Sequence, residues 1–111
     1  MPVVKLTLER MSKLMGNSIT LKKLEEIVPW IGVEIEEEGQ DWIRIEYNPN
    51  RPDFSSQEGV ARALRGLQEI EVGLPKYAAS KGNVSLIVEQ SVKKVRPCIV
   101  GSVCKNIRLS S

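Results

Sequence analysis

The 111-residue sequence contains no histidine. That removes the side chain that most often serves as a general base near neutral pH and as a metal ligand. Cysteine is nearly as scarce. Cys98 and Cys104 stand in a stretch that reads as strand, and an extended chain holds two residues six apart at roughly 20 Å, too far to bridge. Two lone thiols without histidine make a poor zinc site, so both are expected as small buried hydrophobes in a reducing compartment. Aromatics number two Trp, two Tyr and one Phe, too few for a row of base-stacking platforms. Trp30 and Trp42 are expected in core and hairpin packing. No apolar run is long: the longest, 27–33, is broken by Pro29 and Gly32 and is far too short to span a bilayer. The N-terminus lacks a basic region followed by an apolar stretch, so no signal peptide, no membrane association and a cytoplasmic location are expected. The glycines never fall into a phosphate-cradling pattern after a strand. No catalytic constellation, metal site or internal repeat is visible.

What is present is ordinary in amount and uneven in placement. A hydrophobic fraction of 41% and a charged fraction of 27% suit one globular domain, or one domain and a piece of another. Residues 1–75 carry nine Lys/Arg against thirteen Asp/Glu, a balance of −4; residues 76–111 carry seven against the single Glu89, or +6. Such asymmetry suggests two parts with different neighbours. The basic part can face RNA, with Lys93, Lys94 and Arg96 as the candidate contacts and Lys105 and Arg108 nearby.

In chain order, Val3, Val4 and Leu6 form a short extended entry. Thr7 is placed to cap a helix with Leu8, Met11, Leu14 and Met15 on its apolar face and Gly16 as its stop. Thr20 caps a second helix, with Leu21, Leu24, Ile27, Val28 and Ile31 on one face; Pro29 ends or kinks it and Gly32 completes the exit. A hairpin follows. Val33 and Ile35 alternate with Glu34 and Glu36, the turn is 38–41, and the return strand puts Ile43, Ile45 and Tyr47 on one face. The acidic residues Glu34, Glu36, Glu37 and Glu38 read either as a solvated edge that discourages strand addition or as a cation site. A third helix places Val60, Ala63, Leu64 and Leu67 inward, and Gly59 and Gly66 suggest close backbone approach. After a loop-like connector at 73–82, residues 84–88 and 97–104 read as strands, the second extending toward Leu109.

The densest stretch is 47–62. Pro49 and Pro52 push Asn48 and Arg51 toward extended geometry, so neither strand nor helix runs through. Asn50 and Asp53 are placed to bond their own backbone two residues on. Ser55 followed by Glu58 reads as a capping box for the third helix. Arg51, held between two prolines, can fork onto Asp53, Glu46 or a carboxylate of another chain. It is either a strut within the corner or an anchor for a partner surface.

Asn50-Arg51-Pro52-Asp53, then Ser56, then Glu58-Gly59-Val60-Ala61-Arg62, resembles the motif of phenylalanyl-tRNA synthetase β subunits. In that family an Asn-Arg-x-Asp corner is followed by a Ser and by Gly-x-Ala-Arg on the next helix. The Met-Pro-Val-Val start, Leu24-Glu25-Glu26-Ile27 with Gly32-Val33-Glu34-Ile35, and Val95-Arg96-Pro97 with Val103-Cys104-Lys105-Asn106-Ile107 resemble the archaeal and eukaryotic type in the same order. Ser55 departs from it, standing where the family carries an apolar residue. The resemblance implies an enzyme that joins L-phenylalanine to its tRNA using ATP and Mg²⁺, as a heterotetramer of α and β subunits. The aminoacylation site is then in the α subunit, and an editing site lies in a β-subunit domain that begins near the C-terminal strands here.

The expected class is therefore α+β: short helices packed on a small antiparallel hairpin, with additional C-terminal strands. Residues 1–75 are expected to form an N-terminal helix–hairpin–helix domain, and 76–111 a connector with the first strands of a following, incomplete domain. The leading functional expectation is a non-catalytic structural and docking segment. Asn50, Arg51, Asp53, Ser56, Gly59 and Arg62 form its motif; it binds no cofactor itself, and its partners are the α subunit, the rest of the β subunit and, peripherally, tRNA. The alternative is an autonomous module that binds tRNA or DNA.

Overall fold

The computed structural model describes residues 2–108. Val3–Thr7, rich in β-branched residues, forms strand β1, and Leu8–Met15 continues directly as helix α1. Helix α2 is Leu21–Ile27, followed by a 3₁₀ turn at Val28–Ile31. Strands β2 (Glu34–Glu38) and β3 (Trp42–Glu46) make the hairpin. A second 3₁₀ turn, Pro52–Ser55, leads into helix α3, Gln57–Leu67. The class is α+β, as expected.

The sheet has three strands in the order β1-β3-β2, both pairs antiparallel. The entry strand is thus a full member of the sheet: Val3 lies opposite Glu46 and Thr7 opposite Trp42. Period-two alternation then puts Leu6 beside Ile43 and Val4 beside Ile45 on the face that meets the helices. Between β2 and β3 the pairing steps from Ile35–Ile45 to Glu37–Arg44, leaving Glu36 as a bulge. The bulge brings Glu37 onto Arg44, with Oε2 and Nη1 at 2.5 Å. The core joins Leu6, Ile43 and Ile45 to Met11 and Met15 of α1, to Leu24 and Ile27 of α2, and to Val60, Ala61 and Leu64 of α3, with Phe54 among them.

Most helix signals act where the sequence places them. Gly16 (φ 76°) and Gly32 (φ 79°) take the left-handed conformation that ends α1 and the 3₁₀ turn. Thr20 Oγ1 accepts from the Lys23 N–H at 3.2 Å. Thr7 differs: it occupies the N-cap of α1 without a side-chain cap bond. Its backbone N–H and hydroxyl both donate instead to Gln57 Oε1, at 2.9 and 3.3 Å, joining the edge of β1 to α3.

Three packing expectations are corrected. Trp30 is 77% exposed, not in the core. The 3₁₀ turn has three residues per turn, so Val28, which is buried, and Trp30 face different ways. On α3 the buried set is Val60, Ala61 and Leu64; Ala63 is half-buried and Leu67 is 42% exposed. The apolar stripe is centred nearer the helix start, and the last turn overhangs the core. Gly66 meets only a distant Glu71 carbonyl, so no close approach requires it. Glu69 (φ 55°) takes the left-handed position after α3. Its N–H donates to Gly66 O at 3.1 Å and that of Ile70 to Arg65 O at 2.9 Å, the paired bonds of a Schellman motif.

The chain divides into two units, Met1–Pro75 and Lys76–Ser111. In the second, the strands expected at 84–88 and 97–104 are not formed; its one regular element among the described residues is a 3₁₀ turn, Gln90–Val92. Strand propensity needs a hydrogen-bonded partner to become a strand, and these two runs exchange no backbone bond with each other. No described residue of this unit is buried. Cys98 and Cys104 are accordingly exposed free thiols, not buried hydrophobes. Leu109 lies outside the described residues.

Candidate functional site

The corner at 48–59 is built from two successive turns. The Arg51 N–H donates to Asn48 O at 2.9 Å, and the Phe54 N–H to Arg51 O at 3.0 Å. Pro52 starts the 3₁₀ turn that carries Phe54 inward, where it is 1% exposed. Arg51 closes over this from outside. Its Nε donates to Asp53 Oδ1 at 3.0 Å and its Nη2 to Oδ2 at 2.7 Å. The guanidinium carbon stands 3.7 Å from the centre of the Phe54 ring. The same fork holds the Asp53 carboxyl below its usual range and raises the guanidinium. Of the partners open to Arg51 in the sequence, the structure shows Asp53.

The N-cap falls one residue later than expected, and because N3 is then Gly59 no capping box forms. Ser56 is the N-cap of α3, and its Oγ accepts from the Gly59 N–H at 3.3 Å. Ser55 belongs to the 3₁₀ turn and its Oγ donates to Pro52 O at 2.7 Å. Glu58 turns to Arg10 of α1, with Nη2 at 2.6 Å and Nε at 3.1 Å, which lowers its carboxyl below the ordinary range. Gly59 has a strict steric reason. A Cβ there would stand 1.7 Å from the Asp53 carbonyl oxygen, so corner and helix meet backbone to backbone.

The motif residues therefore divide by position. Arg51, Asp53, Ser56 and Gly59 hold the corner together. Asn50 and Arg62 are exposed, and among the described residues neither side chain has a hydrogen-bonding or ionic partner. Asn50 does not make the local backbone bond expected of it; the Asn48–Arg51 turn closes that segment instead. Lys93, Lys94 and Arg96 belong to the second unit, exposed around the turn after Gln90–Val92, where the Arg96 N–H donates to Val92 O at 2.8 Å. Among the described residues no cluster of three His, Cys, Asp or Glu is placed to hold a metal ion, the acidic residues of β2 included.

Sequence reasoning missed the long-range ties. Gln57 to Thr7 and Arg10 to Glu58 link segments about fifty residues apart. Arg65 does the same, with Nη1 donating to Leu14 O at 3.0 Å and Nη2 2.8 Å from Glu71 Oε2. No local spacing announces such pairs.

No family model matches the chain. Individual proteins do. The chain is similar along its length to β subunits of phenylalanine–tRNA ligase. It is 46% identical to that of Archaeoglobus fulgidus, covering 99% of this chain and 20% of the relative. With the Methanothrix thermoacetophila β subunit the identity is 41%, over 99% of this chain and 20% of the relative. With the Methanopyrus kandleri β subunit it is 37%, over 96% and 19%. The crystal structure of an N-terminal fragment of the phenylalanyl-tRNA synthetase β subunit from Pyrococcus horikoshii superposes with a TM-score of 0.67 at 34% identity, covering 86% of this chain and 29% of that one. The chain thus spans about a fifth of the length of the phenylalanine–tRNA ligase β subunits it matches.

Proposed function

We propose that the chain is the N-terminal, non-catalytic structural and docking segment of a phenylalanine–tRNA ligase β subunit. The observation that carries this is similarity running through almost the whole chain yet through only a fifth of each relative, joined to the likeness with a structure named as an N-terminal fragment. In this reading the complete enzyme attaches L-phenylalanine to tRNA with ATP and Mg²⁺ in the cytoplasm. Its partners are the α subunit and the remainder of the β subunit, with tRNA at most a peripheral contact of Lys93, Lys94 and Arg96. Residues 76–111 are the connector into the following domain.

The corner serves the segment as a rigid body. Arg51 and Asp53 satisfy each other over Phe54, so their value lies in fixing the entry of α3. The side chains left to meet a partner beside them are Asn50 and Arg62.

The test is assembly of the complete enzyme. Arg62→Ala in the full-length β subunit should weaken association with the α subunit at least several-fold, with KM for phenylalanine unchanged in the enzyme that forms. The 111-residue chain alone should support no phenylalanine-dependent ATP–pyrophosphate exchange. Exchange by the isolated chain would overturn the non-catalytic reading, and unaltered assembly would remove Arg62 from the docking surface.

A further inference from the structure

The chain leaves the first unit through a short strap, residues 69–71, that folds back on the end of α3. The Glu69 N–H donates to Gly66 O at 3.1 Å, and the N–H groups of Ile70 and Glu71 donate to Arg65 O at 2.9 and 3.3 Å. Beyond the strap the anchoring stops. Among the described residues, 72–88 make no backbone–backbone hydrogen bond, Gly73 is left-handed (φ 82°) and Leu74 is 93% exposed. The Arg65 side chain grips the same strap: its Nη2 stands 2.8 Å from Glu71 Oε2. Its Nη1 donates at 3.0 Å to Leu14 O, in the last turn of α1. Carbonyls there lack a helical partner and favour a cation, and among the described residues no backbone N–H reaches Leu14 O. Spanning the two acceptors has a cost, because Arg65 Nε is buried without a hydrogen-bonding partner. A lysine, with a single ammonium and no planar fork, is poorly built to hold both.

We propose that Arg65 is a positioning residue, the centre of a latch that couples the end of α1 to the point where the chain leaves the first unit. With the latch shut, 69–71 belong to the fold and the connector pivots at 72–75. With it open, the pivot moves back to the end of α3. A displacement of α1 is carried through Leu14 O and the guanidinium to Glu71, and so changes where the connector starts. The ion pair alone is worth little, since Glu71 is more than half exposed. Its leverage comes from the bond to Leu14 O, which holds the fork in place before Glu71 meets it. The device goes beyond the docking reading and does not depend on it.

The test is amide hydrogen exchange in the full-length polypeptide that carries this sequence. Glu71→Ala removes no atom that touches α1, yet it should speed exchange about 5-fold at Ile70 and measurably at Met15 and Gly16, the end of α1. Arg65→Lys should act at both places by about 10-fold, and adding Glu71→Ala to it should change nothing further. Arg62→Ala, on the same helix, should leave both places as they were. Exchange at Ile70 that ignores Glu71→Ala means that the backbone bonds hold the strap unaided, and overturns the proposal. A rise at Ile70 with none at Met15 and Gly16 leaves no coupling to α1 and overturns it as well. So do additive effects of the two substitutions, or an equal response to Arg62→Ala, which would signal general loosening of α3. Assembly with the α subunit plays no part in this readout, so the latch and the docking reading fail separately.

Discussion

The two units are similar in raw material and opposite in outcome. Both carry runs of Val, Ile and Leu. In the first, these residues form a closed core from Leu6 to Leu64; in the second, no described residue is buried. The difference lies in partners. Strand β3 has a neighbour on each side, and three helices cover the inner face of its sheet. The run at 84–88 has comparable β-branched content and no hydrogen-bonded neighbour. Propensity becomes structure only where geometry supplies something to pair with.

The contrast is broken most severely at the corner's buried aromatic. Phe54→Ala should cost the first unit about 3–5 kcal/mol, seen as a large drop in the urea midpoint. Val100→Ala, in the second unit and exposed, should stay within about 0.5 kcal/mol. Equal effects would mean the two units share one core. Gly59→Ala comes next. Its Cβ collides with the Asp53 carbonyl, and forced separation of corner and helix should cost about 2–3 kcal/mol. Ser56→Ala should cost about 1 kcal/mol through loss of the cap, and Ser55→Ala less; the reverse order would restore the capping box at Ser55. Glu69→Gly should stabilise, by about 0.5–1 kcal/mol, because glycine adopts the left-handed C′ position without the Cβ penalty.

The smallest effect is on pH dependence. Glu58 and Asp53 have carboxyls held below their ordinary values. A depressed folded-state pKa contributes stability that is fully present above the unfolded value and lost as pH falls through the folded one. Thermal midpoints should therefore be level from pH 7 to about 5 and decline below about pH 4. Arg10→Ala should flatten part of that decline by freeing Glu58. Both ion pairs are about half exposed, so the effect is modest and fades in salt.

Local chemistry made much of the first unit readable. Gly16, Thr20 and Gly32 act at their own positions, Ile43 and Ile45 share a face by strand period, and Gly59 signals a close approach. The misses share a cause as well. The pairing of β1 with β3, the Gln57 tie to Thr7 and the Arg65 tie to Leu14 all depend on residues distant in sequence, which no window displays. The cap moved from Ser55 to Ser56 because the 3₁₀ turn takes in Ser55. Trp30 went outward for a similar reason: the change from 3.6 to 3.0 residues per turn moves a side chain to another face. At the corner, the sequence offered Arg51 three partners, and the local turn brings it onto Asp53, two residues on.

The strand order β1-β3-β2 has a consequence for how the chain is made. Thr7 emerges from the ribosome about 35 residues before its partner Trp42. At roughly 5–20 residues per second, β1 waits about 2–7 seconds with an unpaired edge. Gln57, which occupies the outward N–H at Thr7, arrives later still. Until then the nascent segment has helices without a floor, and its closure awaits synthesis of α3. Translation speed through residues 8–57 therefore sets how long β1 and α1 stand without the strand and helix that complete their layer.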